Sequence, residues 1–254
     1  MKTVKISAIV LAMAGVFATS ANAQSAKTNA WEGFYGQVGV GYGTVTPTIK
    51  DGTATIPAGF GGVIPVSLNA TTSGQNVNTL NTAVANIAAG YNFAINDKFV
   101  VGLGVSYDPG ASSGATGQLV TRAPTNPALG PLSGAAVGPT QNATYQMKNV
   151  YSITVNPGYT IDNDKLAYLM LGYTGATVGL SSQNIPYNTV NLTGYTVGLG
   201  YKQMITQSLY MLGEVKYASY GQKTANATAY GAVPVAQPVS ANGAEFLVGV
   251  GYRF

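Results

Sequence analysis

After Ala30 the side chains alternate in character, for most of the chain's length, with a period of two, which is the signature of extended strands. The final segment, 245–254, shows the pattern most clearly. Phe246, Val248, Val250, Tyr252 and Phe254 share one parity, and Glu245, Gly249, Gly251 and Arg253 share the other, with Leu247 as the exception. One face is apolar with aromatic ends; the other is small and charged. Seven earlier segments repeat this reading, at about 31–45, 82–93, 99–108, 144–160, 166–180, 192–203 and 208–220. In the fourth, Tyr151, Ile153, Val155 and Tyr159 oppose Lys148, Ser152, Thr154 and Asn156. The fifth is apolar on both parities at its start and does not declare its faces.

The connections alternate as well. Residues 94–98, 161–165 and 204–207 make short links, two of them rich in Asn and Asp, which suit tight turns. The intervening links, at about 46–81, 109–143, 181–191 and 221–244, are longer and rich in Ala, Gly, Thr, Pro and Asn. Three short turns interleaved with four long loops predict an up-and-down meander with one tight end and one elaborate end. A ten-stranded version stays open, because 62–68 and 117–121 have room for further strand.

Charge decides which surface faces water. Only 8% of the residues are charged, against about 25% in an average soluble domain. A soluble sandwich would hide its apolar face and cover the outside with charge, but the polar face here is mostly Gly, Ser, Thr and Asn. Small residues suit the interior of a narrow barrel. In lipid every backbone N–H and C=O must be paired, so strands span only as a closed barrel, and about 9–11 residues per strand suffice. Aromatic residues at strand ends, such as Tyr42, Tyr91, Phe93, Phe99, Tyr107, Tyr159 and Tyr201, fit two interfacial girdles. The expected fold is all-β: an eight-stranded antiparallel up-and-down transmembrane β-barrel over 31–254.

The start of the chain reads as a leader. Lys2 and Lys5 precede an apolar run over 6–17, and Ala21-Asn22-Ala23 supplies the small-x-small cleavage pattern. The run is too short for a spanning helix, which needs about 20 residues. Residues 1–23 are therefore expected to be a removed signal peptide, with 24–30 as a short periplasmic segment. The mature chain keeps ten basic and eight acidic side chains, a net charge of +2 that gives no basis for binding nucleic acid.

At its two ends the sequence resembles a known family. Trp31-Glu32-Gly33-Phe34-Tyr35-Gly36 resembles the W-x-G-F-Y opening of small outer-membrane β-barrels of the porin or OmpA-transmembrane-like kind, related to OmpX and the opacity proteins. Val248, Val250, Tyr252 and Phe254 are similar to the terminal strand of that family. The resemblance implies export through the Sec pathway, an outer-membrane location beside lipopolysaccharide, and recognition of the last strand by the barrel-assembly machinery.

On strand parity the lumen should hold Lys148, Lys202, Glu214, Lys216, Glu245 and Arg253. Eight strands enclose a space just wide enough for side chains to fill, and buried charge is costly unless paired. Glu214 is expected to pair with Lys202 or Lys216, and Glu245 with a basic neighbour. Such pairs either plug the barrel or line a narrow, slightly anion-preferring path, since four basic groups outnumber two acidic ones. The long loops offer either a surface for adhesion or receptor binding, or unstructured spacers. An enzyme is the third reading and the least supported: there is no His and no Cys. Asp162 and Asp164 fall in a short turn with Lys165, not in an acid–base pair, and no cofactor or metal site is expected.

Overall fold

The computed structural model describes residues 29–62, 66–111 and 114–254. The expected cleavage site at Ala21 and Ala23 and the start of the mature chain to residue 28 lie outside them. The described residues form eleven strands: β1 (Gly33–Ile49), β2 (Gly52–Ile56), β3 (Leu68–Gln75), β4 (Leu80–Ala94), β5 (Phe99–Ala111), β6 (Ala115–Arg122), β7 (Gln141–Asp162), β8 (Lys165–Ser182), β9 (Ile185–Met204), β10 (Leu209–Ala229) and β11 (Val233–Arg253).

Eight of these strands close a ring in chain order. β1, β4, β5, β7, β8, β9, β10 and β11 each pair antiparallel with the next, and β11 returns to β1 from Tyr35↔Arg253 to Ile49↔Val239. The other three prolong members of the ring. β2 continues β1 along β11, where Ile49↔Val239 is followed by Ala54↔Val235. β6 continues β5 along β7, where Ala111↔Lys148 is followed by Ala115↔Tyr145. β3 runs down beside β2 and leads into β4. The barrel thus has eight staves, three of them broken by a kink. Gly110, at the β5–β6 kink, has φ 105°, a conformation that favours glycine. The segment 117–121 does hold strand, but inside β6, so it lengthens the third stave without adding a ninth.

Side-chain polarity divides the barrel into two tiers. In the tier next to the short turns, apolar side chains point outward: Val40 is 64% exposed, and Leu103, Ile153, Leu171, Leu199 and Val250 are likewise exposed. Aromatic rings bound this belt. At its lower edge Phe34 stacks edge-on with Tyr91, Phe99 packs on Tyr159, and Tyr252 on Phe254. At its upper edge stand Tyr42, Tyr151, Tyr173, Tyr195, Tyr217 and Phe246. Above that line the sign reverses. Leu80, Tyr145, Met147, Val178, Leu192 and Val239 point inward as one buried cluster, while Thr46, Thr48, Thr53, Thr55, Asn69 and Thr71 face out.

This reversal corrects the expected loops. Much of 46–81, 109–143 and 221–244 is strand, and 181–191 shrinks to a two-residue turn between Ser182 and Ile185. The period of two persists through these segments with apolar residues inside, so a pattern sought with apolar residues outside does not find it. The connections at the tall end include two short 3-10 turns, Phe60–Gly62 and Pro127–Leu132, and Phe60 and Leu129 pack on a further buried cluster with Ile56, Leu68 and Val233.

The belt makes a quantitative expectation. Leu103→Lys, on the outward face amid the belt, should lower folding stability in vesicles by about 2–4 kcal/mol, whereas Thr48→Lys, outward in the upper tier, should change it by roughly 0–1 kcal/mol. Urea titration of tryptophan emission in phospholipid vesicles measures both.

Candidate functional site

Charged side chains from several strands converge in the lumen, and its residue types follow from its width. Bulky and small residues must face each other across it. Tyr35 lies over Gly90 and Gly104, Tyr168 over Gly200, and Tyr210 over Gly251, so a Cβ at any of these glycines would strike a tyrosine ring or its hydroxyl. The inward parity is glycine-rich because it receives tyrosines from neighbouring staves.

The mouth at the short-turn end is closed by the residues before β1. Trp31 is 1% exposed and meets Tyr210 edge-on, with ring centroids 5.7 Å apart. The Asn29 amide anchors this segment, donating to the carbonyls of Asn96 at 3.1 Å and Asp97 at 3.0 Å and to the Thr160 hydroxyl at 3.1 Å. The Asn92 amide donates to the Trp31 carbonyl at 3.0 Å.

Above Trp31 sits Lys202, only 4% exposed. Its ammonium lies 4.0 Å from the ring centroid of Tyr35, 5.0 Å from that of Tyr210 and 5.1 Å from that of Tyr168. Ring faces attract a desolvated cation through their quadrupole. Glu214 accepts from the Tyr168 hydroxyl at 2.6 Å and from the Gln37 amide at 2.9 Å, and the Tyr210 hydroxyl donates to Gln37 at 3.2 Å. Two opposite charges are thus linked through neutral groups. Glu214 was expected to pair directly with Lys202 or Lys216; among the described residues the ion pairs are Lys216–Glu245, at 2.9 Å, and Lys165–Asp162. The hydroxyl and amide donors satisfy Glu214 because three tyrosines fill the space a direct pair would need.

The next layer up holds Lys216, Glu245, Asp108 and Asn86, whose amide donates to Asp108 at 2.5 Å. A cavity of about 110 Å³ opens above them, lined by Val45, Val84, Asp108, Met147, Lys216, Ala218, Tyr220 and Glu245 among others. The buried apolar cluster of the upper tier then fills the barrel again.

Two residues expected in the lumen are placed elsewhere. Lys148 lies on the outer face, donating to the Tyr187 hydroxyl at 2.7 Å with its ammonium 5.1 Å from that ring's centroid. The register of β7 against β8 shifts between Lys148 and Tyr151, with Asn149 at φ 53°, and the shift turns Met147 inward in its place. Arg253 is inward in parity but sits at the short-turn mouth, donating to the Gln207 carbonyl at 2.7 Å, apart from the other charges. Asp108 is the ionisable member that sequence reasoning missed. Its signal was its parity, shared with Gly102, Gly104 and Ser106. Tyr35 could have been found by its shared parity with Gln37, and Tyr210 by its shared parity with Glu214.

Outside the lumen, Asp162 accepts from the Asp164 N–H at 3.0 Å and pairs with Lys165 at 2.5 Å. The Lys165 ammonium holds its carboxyl below the usual carboxylate range. Among the described residues no three His, Cys, Asp or Glu side chains converge as a metal ion would require.

A model of the outer membrane protein beta-barrel domain family matches residues 9–254. Solved structures with similarity to the chain include Ail, the attachment invasion locus protein of Yersinia pestis, at 14% identity and a TM-score of 0.43, covering 88% of this chain and 99% of that one. The outer membrane protein OprG of Pseudomonas aeruginosa is 15% identical, with a TM-score of 0.45 over 88% and 96% of the two chains. Neisserial surface protein A is 14% identical, with a TM-score of 0.42 over 87% and 97%. No curated protein matches the sequence.

The caged pair sets a test by double-mutant cycle. Lys202→Met strands Glu214 in the interior and should cost about 3–5 kcal/mol, while Lys202→Met with Glu214→Gln should cost clearly less than the two single changes summed. Equilibrium unfolding of the three variants in detergent gives the coupling. Gly200→Ala, which drives a methyl into the Tyr168 ring, should cost about 1–3 kcal/mol by the same measurement.

Proposed function

The chain belongs to the outer membrane protein β-barrel domain family, and from that premise we propose that it is a plugged barrel with a structural and surface-interaction role in the outer membrane. The observation that carries this reading is the lumen, which is obstructed at three successive levels: by Trp31, by the Lys202 cage of Tyr35, Tyr168 and Tyr210, and by the apolar cluster of the upper tier. A solute would have to displace all three. An anion-preferring channel was the competing expectation. It depended on four lumen cations against two anions, whereas within the staves Lys202 and Lys216 now stand against Glu214, Glu245 and Asp108.

In this reading the short turns face the periplasm and the tall tier stands outside, beside lipopolysaccharide. Its threonine- and asparagine-rich outer wall suits contact with sugars and water. Its tip, with Tyr230 and the two short 3-10 turns, is the surface offered to a host or environmental ligand. Val248, Val250, Tyr252 and Phe254 all point outward on the strand that closes the ring, where the barrel-assembly machinery would grip it. Residues 1–23 would direct Sec export and leave at Ala23. Among the described residues the lumen carboxylates are tied to Tyr168, Gln37, Asn86 and Lys216, which suits a structural role.

Planar-bilayer recording of the purified barrel decides between plug and pore. The expected result is an electrically silent bilayer after insertion is verified by gel mobility. Steady conductance steps that change in Glu214→Ala would replace the plugged reading with the channel.

A further inference from the structure

The β4–β5 ladder runs from Ala94↔Val100 to Ile87↔Tyr107 and stops there. Both strands continue and stay paired on their other sides: β4 with β1 as far as Leu80, and β5 with β7 at Asp108 and Ala111. Just past that end the Asn86 amide donates to Asp108 from one stave to the other, and the backbones meet again where the Asn78 N–H donates to the Thr116 carbonyl at 3.0 Å, below the β3–β6 ladder. Between these points Ala83–Asn86 and Asp108–Ala111 face each other without ladder pairing. Pro109 has no N–H to offer across the seam.

The height of this seam is fixed by register. Ala83 pairs with Tyr42, and Asp108 lies one residue beyond the Tyr107↔Tyr151 pair, so the seam opens at the upper aromatic girdle, where lipid headgroups meet hydrocarbon. Behind it lies the 110 Å³ cavity, whose lining includes Thr82, Ala83 and Val84 from one lip and Asp108, Pro109 and Gly110 from the other. A second interruption begins where the β9–β10 ladder ends at Tyr220↔Gly194, also just above the girdle, but its inner side is filled by Leu192 and Tyr220 of the buried cluster.

We infer that this seam is a lateral port through which a small amphiphilic amine passes from the outer leaflet into the cavity. The walls suit a short apolar body: Val45, Val84, Met147, Val150, Ala218 and Tyr220. The polar end suits a cationic, hydrogen-bond-donating head. Asp108 and Glu245 stand against Lys216, while Lys148, also in the lining, turns its ammonium away onto the exposed Tyr187, which leaves a formal excess of one negative charge at the inner end. The Asn86 carbonyl oxygen beside Asp108 is buried and has no hydrogen-bond partner, so it too awaits a donor. A carboxylate head would meet the wrong sign. The volume limits the body to about the size of a ring or a short alkyl chain, by comparison with an apolar cavity of about 150 Å³ that holds benzene. The port leads sideways, so it is compatible with an electrically silent barrel and stands or falls separately from the plugged reading.

Because the chain contains no cysteine, single cysteines report access cleanly. Ala218→Cys, on β10 in the cavity wall, and Ala176→Cys, in the sealed apolar cluster, are folded into phosphatidylcholine vesicles and reacted with N-ethylmaleimide. The port predicts that Ala218→Cys labels roughly tenfold faster than Ala176→Cys. It predicts that n-hexylamine slows that labelling at least about threefold at saturation while hexanoate does not. It also predicts that adding Val84→Trp, which fills the lip, removes the advantage. If Val84→Trp does not assemble, as read from heat-dependent gel mobility, Thr82→Phe on the same lip replaces it. Equal labelling of the two cysteines, or labelling indifferent to the filled lip, would overturn the port. Equal protection by hexanoate would overturn the amine.

Discussion

The whole molecule answers to one requirement: inside hydrocarbon no backbone N–H or C=O can be left to water, so the hydrogen-bonded ring must close. Closure with eight staves fixes the radius, and the radius fixes what the inside can hold. Tyrosines and glycines must then face one another, as Tyr168 does Gly200 and Tyr210 does Gly251. Charges that enter such a space lose their hydration. Lys202 recovers part of it from three ring faces, and Glu214 from a hydroxyl and an amide. The seam between β4 and β5 fits the same requirement, since it lies at the girdle, where headgroups and water can satisfy the backbone groups that the ladder leaves.

The part of the fold that lies in lipid was legible in the sequence because outward apolar and inward small residues alternate there without interruption, as from Phe246 to Phe254. The upper tier was not, although its period is the same. Val233, Val235 and Val239 point inward, and the threonines of β1 and β2 point outward, so the contrast has the opposite sign. Thr, Asn and Ala in such a pattern look like loop composition until the missing solvent, hydrocarbon or water, is supplied. Period alone gives strand; only the surroundings say which face is the core.

The lumen charges were partly legible, for a related reason. Parity carries from residue to residue only while the register holds. Glu214, Lys216 and Glu245 lie inside, whereas Lys148 lies outside, where one left-handed asparagine, Asn149, turns the strand over. Direct pairing was the simplest expectation for Glu214 and Lys202 because sequence lists the charges but not the tyrosines between them. Asp108 was hidden by its position at the end of a recognised segment, next to Pro109. The same dipeptide marks the place where the ladder lets go.

The two-tier build also bears on how a partner would meet the tall end. From Tyr217 to Ala229 the seventh stave rises about 40 Å along its own length, at roughly 3.4 Å per residue, and most of the neighbouring staves rise with it around a packed interior. A rim held in this way has already lost the backbone freedom that a floppy loop would lose on contact, about 1–2 kcal/mol for each residue ordered. Recognition there would begin from a surface already fixed in shape, with little conformational entropy left to lose.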